Sequence, residues 1–208
     1  MMKSTEVETS AFTHEDIKKE FRRLINWAKD GSLYIVTPFI NELDIGKKRD
    51  LTAELHRQAR ATMDIRLMVA PPKPPHPSNK HKDLSTLLNC GYCKKAAKKI
   101  RLLDKYWGFV IDLLIKETLH GKVYLASNDK GELRCLTGSV NLTMQAFEQW
   151  CELCISTSDQ RLINEINGII TIWEGPDRKR GGRALPYITW KKNFLRNYPH
   201  LVTILSHL

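Results

Sequence analysis

The sequence predicts an α/β fold, a parallel sheet with helices packed on it, and three observations carry the prediction. Two short apolar runs, SLYIVTPFI (32–40) and DIRLMVA (64–70), have the length and β-rich composition of buried strands. Between them DLTAELHRQARAT (50–62) repeats apolar residues at helical spacing, and a strand–helix–strand order implies a crossover between parallel strands. The chain of 208 residues is 42% hydrophobic and 27% charged, the size and balance of one globular domain.

Residues 1–13 are polar and read as a flexible tail. Ile17, Phe21, Leu24, Ile25 and Ala28 then mark an amphipathic helix that Gly31 ends. Pro38 ends or bends the first strand, and Asp50 stands at the N-cap of the second helix, with Leu51, Leu55 and Ala59 on one face. PPKPPHPSNKHK (71–82) is a surface loop, since five prolines suit neither a ladder nor a helix interior. A basic helix follows over 83–99, and IRLLD (100–104) is expected as a third strand. Both periods fit 107–118 in part. GKVYLAS (121–127), RCLTGS (134–139) and CELCIST (151–157) read as strands, the first two joined by a turn at 128–131. A short helix is expected at 142–150. A longer one at 159–175 carries Leu162, Ile166, Ile169, Ile170 and Trp173 as its buried stripe. Residues 176–208 form a basic linker and a C-terminal helical extension.

The formal net charge is +10. Such an excess suits a polyanionic partner, because basic side chains neutralise phosphates and release their counterions. No apolar leader or membrane-length run is visible, so a cytoplasmic protein without a membrane partner is expected. Five cysteines in such a chain are expected as free thiols.

His120 and Lys122 sit two apart at the entry to a strand, where alternation puts both side chains on one side of the sheet. Gly138, Ser139, Val140 and Asn141 follow at the end of the next strand, and Ser139 and Asn141 again share a side. If these strands are neighbours, an imidazole, an ammonium, a hydroxyl and an amide converge. That set suits a phosphate: Lys122 supplies charge, Ser139 and Asn141 supply directional donors, and His120 is available as nucleophile or acid–base group.

HGK at 120–122, GSVNLT at 138–143 and Glu152 on the following strand resemble the signature of the phospholipase D superfamily. From about Ile17 to Trp173 the order of elements also resembles that superfamily's single-motif, nuclease-like members. The resemblance implies a phospholipase D-like mixed sheet with helices on both faces and one motif per chain, the catalytic domain spanning residues 14–175. It further implies a metal-independent phosphodiesterase, with His120, Lys122, Asn141, Glu152 and Ser139 in the site and no cofactor. In the reaction that the resemblance implies, a phosphohistidine forms on one His120 and a second histidine serves the leaving oxygen. One motif per chain then implies a homodimer, since two-fold symmetry supplies the second copy. Glu152 is expected to accept from an imidazole Nδ1–H. One position departs from the pattern: where the superfamily has an Asp five residues after the Lys, this chain has Ser127, with Asp129 two residues on.

A nuclease acting on DNA, or on RNA, is therefore the leading expectation. The alternatives are a weak or inactive nucleic-acid-binding module of the same fold and a phospholipase or phosphatidyl transferase. Candidate substrate-binding residues are Lys94, Lys95, Lys98 and Lys99 beside the site and Arg178, Lys179 and Arg180 in the linker, with solvated surface charge as the plainer reading. Trp190, Lys191, Lys192, Arg196 and Tyr198 fit either base stacking or packing of the last helix. Cys90 and Cys93, with His76 and His81 upstream, are the residue types of a structural zinc set. A single CxxC in this order reads more simply as free thiols, and no metal is assigned.

Overall fold

The computed structural model describes residues 8–40, 55, 57–58, 62–143, 146, 152–175 and 183–208. At its centre β2 (Ser32–Val36) lies parallel to β3 (Asp64–Val69), with Leu33 opposite Ile65 and Ile35 opposite Leu67. Beyond β3, β4 (Asp112–Ile115) is also parallel, and β8 (Leu185–Pro186) pairs antiparallel at the edge. On the other side of β2 run β5 (Val123–Ser127), β6 (Leu133–Gly138), β7 (Leu153–Thr157) and β1 (Thr9–Thr13), all antiparallel. The eight strands form one mixed sheet in the order β1-β7-β6-β5-β2-β3-β4-β8.

Alternation sends successive side chains to opposite faces, and helices cover both. Leu33, Ile35, Ile65, Leu67, Tyr124, Ala126 and Leu136 enter one buried cluster, while Val36, Met68, Val123 and Cys135 enter another. α1 (His14–Trp27) supplies the first cluster with Ile17, Phe21, Leu24 and Ile25, and Phe21 meets the Tyr124 ring edge-on at 4.8 Å. α2 (Leu84–Asn89) opens on a capping box between Asp83 and Thr86. α3 (Gly91–Tyr106) adds Cys93, Ala96, Ala97, Ile100 and Leu103 to the same face. α4 (Gln160–Glu174) covers the opposite face through Ile163 and Ile170, its first turn held by Asp159, whose carboxylate accepts from the amides of Arg161 and Leu162.

Several expectations are corrected. Of the tail over 1–13, Thr9–Thr13 form β1 on the β7 edge, where Thr9 and Thr157 hydroxyls hydrogen-bond at 2.9 Å. The basic helix is two helices that break at Cys90, and IRLLD is the continuation of α3 rather than a strand. The third parallel strand is β4, inside the ambiguous stretch 107–118. On α4 the buried stripe is Ile163 and Ile170, whereas Leu162 and Ile169 are exposed. Beyond β8, the C-terminal extension forms α5 (Tyr187–Asn197) and α6 (His200–Ser206), whose Tyr187, Trp190, Leu201 and Ile204 join the first cluster. Of the expected helix 50–62, Leu55, Arg57 and Gln58 are helical, and most of the remainder lies outside the described residues, as do most of 142–150 and residues 176–182. Among the described residues no helix is long and apolar enough to cross a membrane.

Candidate active site

The site is assembled by the register of β5, β6 and β7. Val123 pairs with Thr137, so Lys122 stands opposite Gly138, and Gly138 pairs on its other side with Cys154. The Lys122 carbonyl accepts from the Gly138 amide at 3.4 Å and from Thr137 Oγ1 at 2.9 Å, which fixes the backbone of the HGK segment just before β5 begins. His120 is exposed there and Lys122 is half-buried.

Ser139 ties the end of β6 to the start of β7. Its amide donates to the Leu153 carbonyl at 3.0 Å, and its hydroxyl accepts from the Leu153 amide at 3.0 Å while donating to the Glu152 carboxylate. Gly138 permits this approach: a β-carbon there would fall 2.1 Å from the Leu153 carbonyl oxygen. Asn141 is buried, with its Oδ1 3.5 Å from Thr37 Oγ1. The Tyr124 hydroxyl holds the intervening Val140 carbonyl at 2.9 Å. The structure thus brings Lys122, Ser139, Asn141 and Glu152 to one end of the sheet, with His120 two residues ahead of Lys122.

Thr37 belongs to this construction and was not singled out in the sequence. Fully buried just past β2, its hydroxyl accepts from the Leu142 amide at 3.3 Å, and the Phe39 carbonyl lies 3.0 Å away as an acceptor. A threonine after an apolar strand carries no local signal; its partners come from 105 residues downstream in the chain. Ser127 and Asp129 lie at the other end of β5. There Asn128 Oδ1 accepts from the amides of Lys130 and Glu132, forming a tight turn, so Asp129 does not reach the His120 end.

Beside the site opens a groove of about 640 Å³ whose lining includes Phe39, Tyr92, Lys73, Lys95, Lys98 and Lys99. Because β5 is antiparallel to β2, with Val36 opposite Val123, Phe39 and Lys122 leave the sheet at the same end. Burial lowers the Lys99 pKa to about 8, and its ammonium donates to the Pro38 carbonyl at 3.4 Å. Lys94 is not in the groove lining; its ammonium lies 3.5 Å from Asn89 Oδ1. Arg178, Lys179 and Arg180 lie outside the described residues. In the extension, Trp190 is buried and stacks on Phe194 at 4.6 Å, and Lys191 pairs with Asp104 at 2.7 Å, so these groups pack the helices. Cys135 and Cys154 are buried free thiols, raised by burial to about 12 and about 11.

The family model described as "Cardiolipin synthase, PLD-like domain" matches residues 21–172. Among curated proteins no match is found. NucT from Helicobacter pylori is similar in structure, at a TM-score of 0.51 and 16% identity, over 81% of this chain and 96% of that one. A phosphatidylserine synthase from Haemophilus influenzae Rd KW20 is similar at a TM-score of 0.54 and 13% identity, over 96% of this chain and 48% of that one. Nuc from Salmonella typhimurium, described as a phospholipase D family member, matches at a TM-score of 0.48 and 13% identity, over 87% and 99% of the two chains. At these identities the first two likenesses show the fold.

Proposed function

Because this chain belongs to the phospholipase D-like family, we propose that it is a metal-independent phosphodiesterase, a nuclease acting on DNA or RNA at a homodimeric site. The observation that supports the reading is the strand register, which puts Lys122, Ser139, Asn141 and Glu152 at one end of the sheet, with His120 two residues before Lys122. His120 Nε2 attacks phosphorus and the bond to the leaving oxygen breaks, with the partner chain's histidine donating the proton. That histidine then takes a proton from water, the hydroxide displaces His120, and the phosphorus–nitrogen bond breaks. Lys122 offsets the charge on the non-bridging oxygens and the Asn141 amide orients them, while Ser139, whose one hydroxyl proton goes to Glu152, holds that carboxylate in place. Glu152 uses Oε2 for Ser139, and Oε1 is the acceptor assigned to the imidazole Nδ1–H.

Two further features support the reading. The groove lysines give a basic surface at the same end of the sheet as the site, as a polyanion needs. Leu153 and Ile155 of β7 and Ile169 and Ile172 of α4 are exposed on the same side of the sheet, an apolar surface suited to a second copy. The test is incubation with plasmid, single-stranded DNA, RNA and phosphatidylcholine vesicles in excess EDTA, beside His120→Ala. Cleavage of nucleic acid that is lost in His120→Ala is expected. Binding without cleavage selects a non-catalytic module, and turnover of vesicles alone selects a lipid enzyme.

A further inference from the structure

The CxxC segment lies at the N-terminus of α3, with Cys90 as its N-cap and Cys93 in its first turn. Two residues of the proline-rich loop face it. His76 Nδ1 lies 3.5 Å from Cys90 Sγ, and His81 Nε2 lies 3.5 Å from Cys93 Sγ. From the far end of the chain, α6 presents His200 Nε2 to the same Cys93 sulfur at 3.8 Å. The donor atoms of His81, Cys90 and Cys93 all lie within 4.8 Å of one another. The proline loop and α3 therefore bring three donors to one point, and α6 sets a further imidazole against Cys93.

The spacing fits a metal site. A tetrahedral zinc holds thiolate at about 2.3 Å and imidazole at about 2.0–2.1 Å, which places neighbouring sulfur and nitrogen roughly 3.5 Å apart. Both the Cys90–His76 and the Cys93–His81 separations have that value. At Cys93 two imidazoles present Nε2 to one fully buried sulfur.

We propose that Cys90, Cys93 and His81 hold a structural zinc ion, with His76 or His200 as the fourth ligand. The ion clips the proline loop to α3, and holds α6 as well where His200 is the fourth ligand. Pro71, Pro72 and Tyr92, which line the groove, lie on two of those segments, so the metal braces the groove wall without entering the phosphodiester chemistry.

The experiment is metal analysis of the reduced full chain, followed by cobalt substitution and zinc titration against a competing chelator. No turnover is measured, so failure here is distinct from failure of the phosphodiesterase reading. About one zinc per chain is expected, with the intense visible absorption of tetrahedral cobalt and a thiolate charge-transfer band. Cys93→Ser and His81→Ala, each checked for native circular dichroism, should weaken zinc at least about a hundredfold, beyond the loss typical of an outer-shell change. Whichever of His76→Ala and His200→Ala shows a similar loss is the fourth ligand. Absence of stoichiometric zinc after reconstitution, octahedral cobalt, or full affinity in Cys93→Ser would overturn the assignment. So would undiminished affinity in both His76→Ala and His200→Ala.

Discussion

Gly121 packs closely against the indole of Trp173: a β-carbon on the glycine would fall 2.1 Å from Cη2 of that ring. The residue between His120 and Lys122 is thus small because α4 is packed against the segment that carries both. Trp173, partly buried, packs against the second cluster, which includes Leu119 and Val123, so the helix on that face abuts the HGK segment.

Gly121→Ala forces the indole or the HGK backbone to move. Overpacking of this kind costs about 1–3 kcal/mol. Turnover should fall further than the stability loss explains, and the double variant with Trp173→Leu should recover part of it. Thermal unfolding and steady-state rates for the three variants check this. Wild-type turnover in Gly121→Ala would show that the contact does not position the site.

Thr37→Val keeps the side-chain shape and removes the hydroxyl that accepts from the Leu142 amide and lies beside Asn141 Oδ1. Leaving a buried donor unpaired costs about 1–3 kcal/mol. Turnover should drop with it, because Asn141 loses a positioning neighbour. Chemical denaturation and turnover, compared with Thr37→Ser, measure both effects, and the serine variant should stay near wild type.

The fold was largely legible because its main strands are contiguous apolar runs. Where it was not, the periods themselves were ambiguous. Ile100, Leu102 and Leu103 are all buried, so IRLLD has the apolar density of a strand, although Cys93, Ala96, Ala97, Ile100 and Leu103 keep helical spacing. On α4 the apolar residues exceed one stripe, and the sequence does not say which stripe faces the sheet. The strand ends that carry Lys122 and Ser139 were legible because β5 and β6 are contiguous runs joined by a short turn. Thr37, Trp173 and His200 were not, since each acts on partners far away in the chain.

Lys99 gives the groove a pH dependence. Its pKa is depressed to about 8 by burial, so a bound phosphate, which favours the ammonium, draws in a proton once the solution is above that value. Affinity is then fully present below the depressed pKa and falls as pH rises through it. For stability the sign is opposite: between the depressed and ordinary lysine values the unfolded chain holds more protons, so the Lys99 contribution grows less unfavourable with rising pH. Oligonucleotide affinity by fluorescence anisotropy should weaken between about pH 7 and about pH 9 more in wild type than in Lys99→Met. Equal slopes would remove Lys99 from the binding surface.

The apolar surface on α4 and β7 makes its own prediction. Ile172 is 64% exposed, so Ile172→Asp should change the stability of the single chain by no more than about 0.5 kcal/mol. Sedimentation should nevertheless show monomers, and cleavage should be lost. A dimer of unchanged strength would place the interface elsewhere.

Sharing of one site by two chains is tested most directly by mixing. Wild type is allowed to exchange subunits with His120→Ala at constant total protein, and nuclease activity is measured against the wild-type fraction. If each reaction needs both imidazoles, an equal mixture retains about one quarter of the wild-type rate, because only dimers of two intact chains turn over. Retention of about one half, in proportion to the intact chains, would mean that each chain works alone and would contradict a site built across the two-fold axis.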